Sequence, residues 1–211
     1  RSFLAGTLLE NTIILHQIRA ALSQSLERVA AKQSAGKTIL SLLHNLELPL
    51  VPVLFQMEST GVLIERAVFT LLSKEIETKL EAVEKEIFLL AGKDFNLNSP
   101  KQLAEVLFVD LEIPTGNIKK NKTGFSTAST ELEKLRAAYP IIALIEEYRE
   151  LFKLKTTYVD VLPGMVASDG RLHTRYDQAV AATGRLSSND PNLQNIPIRT
   201  EWGHRMRQGF V

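Results

Sequence analysis

Between residues 66 and 91 the apolar residues Phe69, Leu72, Ile76, Leu80, Val83, Ile87 and Leu90 recur at steps of three and four. That period is the one-sided stripe of an α-helix and excludes a strand, whose side chains alternate by two. The helix is expected from Arg66 to Ala91, about 39 Å at 1.5 Å per residue, with Gly92 as the left-handed residue that ends it. Glu75/Lys79 and Glu81/Lys85 have the i,i+4 spacing of ion pairs on its outer face. A second stripe, Ile141, Leu144, Ile145, Tyr148, Leu151, Phe152, Tyr158 and Val159, starts after Pro140 at N1 and stops at Pro163–Gly164. Between the two stripes, residues 116–124 read as a flexible, basic tip holding Lys119, Lys120 and Lys122. The expected fold is therefore mainly α: two long antiparallel helices with a basic tip, leading into a small antiparallel β portion near the C-terminus.

Around this arm the punctuation is local. The first 50 residues carry Leu8, Ile13, Ile14, Ile18 and Leu22 at helical period, which predicts two or three short helices broken at Ser34–Lys37, and Pro49 and Pro52 bracket the entry to the next element. Thr60–Gly61 is a turn. Ser99 caps a helix that has Pro100 at N1 and runs to about Phe108. Thr127 or Thr130 caps the next, Thr130 with Glu133 having capping-box spacing. After Ser168-Asp169-Gly170 the pattern changes to alternation of Leu172, Thr174, Tyr176, Gln178 and Val180, which predicts a strand. Arg205–Val211 is expected as a further strand whose partners lie outside the chain. Arg1 in place of Met, and Val211 closing an apolar run, read as a piece of a longer polypeptide.

The chain has no cysteine, which removes disulfides, thiolate zinc sites and a Cys nucleophile together. Apolar runs are a few residues long against the ~20 needed to cross a bilayer, so no membrane partner and a cytoplasmic, nucleoid-associated location are expected. His16, His44, His173 and His204 have no neighbour at metal-ligand spacing and read as structural or surface histidines; no metal site is expected within the chain. The long helix's acids alternate with Lys around its polar face, as solvated pairs rather than acid–base machinery. Net charge is +1, but residues 171–211 hold six arginines (171, 175, 185, 199, 205 and 207) against Asp177, Asp190 and Glu201. That excess suits planar, bidentate recognition, or simply a solvated basic edge.

The most informative stretch is Gln178 to Arg199, where Thr183-Gly184-Arg185-Leu186-Ser187-Ser188 precedes Pro191-Asn192-Leu193-Gln194-Asn195-Ile196-Pro197. A core does not require so many amides and small hydroxyls. The stretch resembles the thumb-to-palm entry of family A DNA polymerases, the bacterial DNA polymerase I type. The likeness extends, in the family's order, through Phe55-x-Met57-Glu58-x-x-Gly61-Val62, Phe95-Asn96-Leu97-Asn98-Ser99-Pro100-Lys101-Gln102-Leu103, Gly124-Phe125-Ser126-Thr127, Glu147-Tyr148-Arg149-Glu150-Leu151-x-Lys153-Leu154-Lys155-x-Thr157-Tyr158 and Gly170-Arg171-Leu172-His173-Thr174.

The resemblance implies three segments: residues 1–47 as the end of a vestigial 3′–5′ exonuclease-like domain, 48–167 as a helical thumb, and 168–211 as the start of the palm. Leu4 and Leu8 stand where a proofreading enzyme would have Tyr and Asp. By the same resemblance Arg185 reads the minor groove at the primer terminus, with Thr183, Asn192, Gln194, Asn195 and Arg199 along the duplex. Arg149, Lys153, Lys155 and Thr156 on the second helix, Asn96, Asn98, Ser99 and Lys101 before the tip, and Lys119, Lys120, Lys122, Ser126 and Thr127 at it, meet the backbone. By residue type alone the tip also reads as an exposed loop, and Lys155 as a snorkelling lysine at the edge of the apolar stripe. The implied partners are primer–template duplex DNA, the remaining palm and fingers, and deoxynucleotides, in replication and repair. The two Mg²⁺ ions and their aspartates are implied for the parent enzyme and not for this piece, which is expected to be inactive alone. A stand-alone helical DNA-binding or scaffold module is the alternative reading.

Overall fold

The computed structural model describes residues 2–32, 39–122, 124–198 and 200–211. In chain order its elements are α1 (Ser2–Ala30), α2 (Ile39–Leu42), α3 (Leu48–Thr60), β1 (Val62–Leu63), α4 (Arg66–Ala91), α5 (Pro100–Glu105), β2 (Lys120–Asn121), β3 (Gly124–Phe125), α6 (Ser129–Leu132), α7 (Pro140–Leu154), β4 (Arg171–Leu172), β5 (Arg175–Asp177), β6 (Ser187–Asn189) and α8 (Glu201–Arg207). The chain is mainly α with small antiparallel strand pairs, as the periodicity predicts, although β1, β2 and β3 lie far from the C-terminus. It divides into two units, residues 1–60 with 175–187, and residues 61–174 with 188–211.

In the first unit, α1 is one 29-residue helix rather than several short ones. The expected break at Ser34–Lys37 lies outside the described residues, as do the side chains of Leu4 and Leu8. Pro49 and Pro52 do not bracket an element but sit inside a continuous helical run. A π-helical turn, Leu43–Glu47, precedes α3, and this widened turn shifts the hydrogen-bond ladder just where Pro49 has no N–H to give. The run Ile39–Thr60 reaches a mean hydropathy of 1.4 over 18 residues, long and apolar enough by length and composition to cross a bilayer. That corrects the expectation of short apolar stretches only. Its carboxylates have polar partners, however: Glu58 Oε1 accepts the Tyr176 N–H at 2.6 Å, and Glu47 accepts from Gln178 Nε2 at 2.7 Å. In a hydrocarbon core such groups would be expensive.

The second unit is organised by α4, whose observed ends match the periodicity. Gly92 has φ +72° and donates its N–H to Phe88 O. One half of α4 buries Phe69, Leu72 and Ile76 against Leu151, Leu154, Tyr158 and Leu172, and the other half buries Val83 and Ile87 against Leu103, Leu132, Ile142 and Ile145. Each such side chain contributes about 1.5–3 kcal/mol by leaving water. The α4 and α7 helices run antiparallel, since Lys79 meets Glu147 at 3.0 Å while Ser73 meets Lys155 at 2.8 Å. The expected Glu75–Lys79 pair is replaced by partners from other elements: Lys79 turns to Glu147, and Glu75 takes Arg205 at 2.7 Å.

Caps and turns position the rest. Ser99 Oγ accepts the Gln102 N–H at the start of α5, with Pro100 at N1, and a π-helical turn carries the helix on to Asp110. The cap of α6 is Ala128, not Thr127 or Thr130, because the Thr127 hydroxyl is engaged with Arg149 and Thr130 lies inside the helix. The basic tip is not a featureless loop. The β2–β3 hairpin pairs Lys120 with Phe125 and Asn121 with Gly124, and Thr123 lies outside the described residues. Gly61, at φ +66°, could not carry a side chain, since a Cβ would come within 2.8 Å of Leu172 O in the β1–β4 pair. The expected long strand after Gly170 is instead two short ones, β4 and β5.

The expected strand over Arg205–Val211 is α8 followed by a single bridge. Thr200 Oγ1 caps α8 by accepting the Gly203 N–H at 3.2 Å, and Arg205 and Arg207 occupy its last turn, where cations are favoured. Only Phe210 pairs in extended fashion, and its partner, Ile64, is within the chain.

Candidate functional site

The hairpin, the start of α5 and the outer face of α7 enclose a crevice of about 820 Å³ lined by Ser99, Lys101, Asn121, Ser126, Thr127, Ser129 and Arg149, with Pro100, Ala104, Phe125 and Ala128 as its apolar part. Arg149 enters from α7 with its guanidinium half-buried, Nη1 donating to Thr127 O and Nη2 to Thr127 Oγ1 at 3.3 Å. Burial pulls its pKa below the usual arginine value, and no carboxylate lies within 4.0 Å of it among the described residues. A guanidinium stays ionised under such a shift, so a cation stands at the crevice wall without a counter-ion. Among the described residues no acidic one lines the crevice. An anion entering it would recover part of the desolvation cost that Arg149 bears.

The strip beneath the crevice is held by hydrogen bonds among its own groups. Ser126 Oγ accepts the Ala128 N–H at 3.3 Å, and the Ser126 N–H reaches Lys119 O at 2.8 Å. Glu131 accepts from Lys134 and from the Lys119 N–H, and these two bonds hold its carboxyl below the ordinary range. Lys119, Lys120 and Lys122 project into solvent, Lys120 with its Nζ 5.5 Å from the Phe125 ring centre. Asn96 Oδ1 accepts the Asn98 N–H at 2.9 Å, and Asn98 Nδ2 lies 3.4 Å from the Tyr148 hydroxyl.

The structure thus brings together Ser99, Lys101, Ser126, Thr127 and Arg149 of the residues named from sequence. On α7, Lys153 is exposed, and the π-helical turn that follows holds Thr156, whose hydroxyl donates to Phe152 O at 2.7 Å. Lys155 does not join them. Its Nζ contacts Ser73 Oγ at 2.8 Å and Asp160 Oδ2 at 2.9 Å, so its three donors serve a clamp between α4 and the end of α7. Asn121 and Ser129 are additions that sequence reading missed. Asn121 sits between exposed lysines, opposite Gly124 in the hairpin, a pairing that residue types in the tip do not show.

A second surface lies on the 188–198 segment. Asn192, Gln194 and Asn195 are exposed there, and Asn192 Oδ1 accepts the N–H groups of Gln194 at 3.1 Å and Asn195 at 3.2 Å. A backbone N–H can only donate, so the oxygen end of that amide faces the loop and the Nδ2 end is turned away from it. Beneath, the buried hydroxyls of Thr174 and Ser188 lie 2.7 Å apart. Arg185 and Thr183 are exposed in the other unit, and Arg199 lies outside the described residues. Among the described residues no group of three His, Asp or Glu is placed to hold a metal ion.

Residues 66–211 match the family model described as DNA polymerase family A. The thermostable DNA polymerase I of Thermus caldophilus is 50% identical over 196 residues, 92% of this chain and 23% of that protein. DNA polymerase I of Bacillus subtilis is 43% identical over 204 residues, 96% of this chain and 23% of that one. Among solved structures, the POL domain of Pol1 from M. smegmatis in complex with DNA primer-template and dNTP is similar with a TM-score of 0.80 and 42% identity, covering 91% of this chain and 32% of that one. The chain therefore spans about a quarter of the length of these curated relatives.

Proposed function

This chain belongs to DNA polymerase family A, and from that premise we propose that it is the part of a bacterial, cytoplasmic DNA-directed DNA polymerase that grips the primer–template duplex in replication and repair. Residues 48–167 are proposed as the thumb, 168–211 as the opening of the palm, and 1–47 as the end of a vestigial exonuclease-like domain. The observation that carries the reading is Arg149, a half-buried cation without a carboxylate partner among the described residues, in a crevice whose polar lining is otherwise hydroxyls, an amide and Lys101. Phosphate oxygens are the natural complement of such a lining. The similarity to a polymerase domain captured with primer-template supports it.

The second surface suits a different element of the duplex. Every correct base pair offers acceptors in the minor groove, purine N3 and pyrimidine O2, so outward amide and guanidinium donors read pair geometry without reading sequence. Asn192, Gln194, Asn195, Thr183, Arg185 and Arg199 are proposed for that role, and Asn96, Asn98, Lys153 and Thr156 for backbone contacts with the tip residues. Lys155 is proposed as a clamp rather than a contact. The described residues do not fit a pair of Mg²⁺ ions, whose ligands we assign to the remaining palm, together with the deoxynucleotide site shared with the fingers.

The tip is tested by Lys120→Ala in the whole polymerase. Duplex affinity is expected to fall, with the salt slope reduced by about one unit or less, while single-turnover incorporation on saturating DNA stays nearly unchanged. An unchanged affinity and slope would remove the tip from the grip.

A further inference from the structure

Two hydroxyls that no functional role requires are the most deeply buried polar groups near the second surface. Thr174 is 4% exposed and Ser188 3%. Thr174 Oγ1 lies 2.7 Å from Ser188 Oγ, 3.0 Å from Asn189 O and 2.8 Å from Pro191 O. Ser188 Oγ also lies 3.3 Å from Pro191 O and accepts the Leu193 N–H at 3.1 Å. Each hydroxyl owns one proton, so the pair can satisfy one another and one carbonyl while still receiving Leu193. The carbonyl of Pro191 or of Asn189 is thereby tied to Thr174, just beyond β4, and the N–H of Leu193 to Ser188. Asn192 sits in the middle of these ties, and its amide is already oriented, with Oδ1 committed to Gln194 and Asn195.

We propose that Thr174 and Ser188 are positioning residues for Asn192: the buried hydroxyl pair fixes the backbone of residues 189–193 so that Asn192 turns its amide nitrogen, and not its oxygen, toward the acceptor edge of the minor groove. The inference rests on the reading that Asn192 faces DNA. Its logic is electrostatic. An amide rotated by half a turn would set its oxygen against N3 or O2, acceptor against acceptor, so a small loosening of the loop changes attraction into repulsion. Buried hydroxyls suit the task because, once paired, they resist displacement by water.

The test is a double-mutant cycle in the whole polymerase, reading kcat/KM for extension of a matched and of a mismatched primer terminus. Thr174→Val keeps the shape and removes the hydroxyl. It and Asn192→Ala are each expected to lower matched extension about five- to thirtyfold and to narrow the matched-to-mismatched ratio. Thr174→Ser, which restores the hydroxyl, is expected to stay within about twofold of the wild type. The double variant should be no worse than either single, because both remove the same contact. If Thr174→Val does not fold, as its melting curve will show, Ser188→Ala takes its place in the cycle.

Multiplying losses in the double variant, or a Thr174→Ser enzyme as impaired as Thr174→Val, would overturn the proposal. Asn192→Ala with wild-type kinetics would overturn the DNA-facing reading and this inference with it. A defective Asn192→Ala beside unaffected Thr174 and Ser188 variants would overturn the inference alone.

Discussion

Arg185→Ala in a whole polymerase carrying this chain is expected to lower kcat/KM for nucleotide incorporation by about 10- to 150-fold, the equivalent of the ~1.5–3 kcal/mol typical of a hydrogen bond to a charged group. Arg185 is exposed, follows Gly184 at φ +75°, and makes no ion pair within 4.0 Å among the described residues. The fold therefore does not depend on its guanidinium, and the melting temperature should hold. If the arginine donates to the groove edge of the terminal pair, its loss is felt in the aligned reacting complex and appears mainly in kcat/KM. Lysine should rescue only in part, because a point charge cannot reproduce a planar fork. Normal incorporation kinetics with a lowered melting temperature would show a structural role instead.

Arg149→Ala is the second large effect. It removes the cation from the crevice and the two bonds that hold Thr127, so duplex affinity is expected to fall about 10- to 150-fold. Stability should change much less, by about 1 kcal/mol or below, because the lost bonds are offset by release of a half-buried charge that has no carboxylate partner. Arg149→Lys should restore some affinity through its charge, but one ammonium cannot serve both Thr127 atoms and a phosphate at once. Anisotropy titrations beside melting curves separate the two effects. A variant that melts far lower yet binds duplex normally would make Arg149 a strut of the loop and no more.

The local signals that survived folding are those that need no partner from elsewhere. The α4 stripe and its Gly92 terminus, Ser99 with Pro100, and the Gly61 and Gly170 turns were legible because period, capping and positive φ act within a few residues. Readings failed where a distant group intervened. Glu75 and Lys79 have pair spacing, but Arg205 and Glu147 arrive from other elements and take them. Thr127 has capping chemistry, but Arg149 claims its hydroxyl. At Lys155 the spacing showed a helix-edge position and not its neighbours, Ser73 and Asp160, which close around it. The C-terminal segment misled for a different reason: Thr200 and the charges of Glu201, Arg205 and Arg207 are a helix signal that the apolar end, Phe210–Val211, obscured. Of the candidate site, residue types and motif order pointed to the loops. The crevice itself, and the hydroxyl pair beneath Asn192, required coordinates, since Thr174 and Ser188 stand fourteen residues apart.

The grip on DNA is tested most directly by fluorescence anisotropy of the 211-residue chain on two duplexes of unrelated sequence across a range of salt. Contacts through phosphates and universal groove acceptors predict dissociation constants equal within about threefold for the two duplexes, and a log K that falls linearly with log salt at about −0.9 per phosphate neutralised. Binding that ignores salt, or that is confined to one of the two sequences, would contradict it.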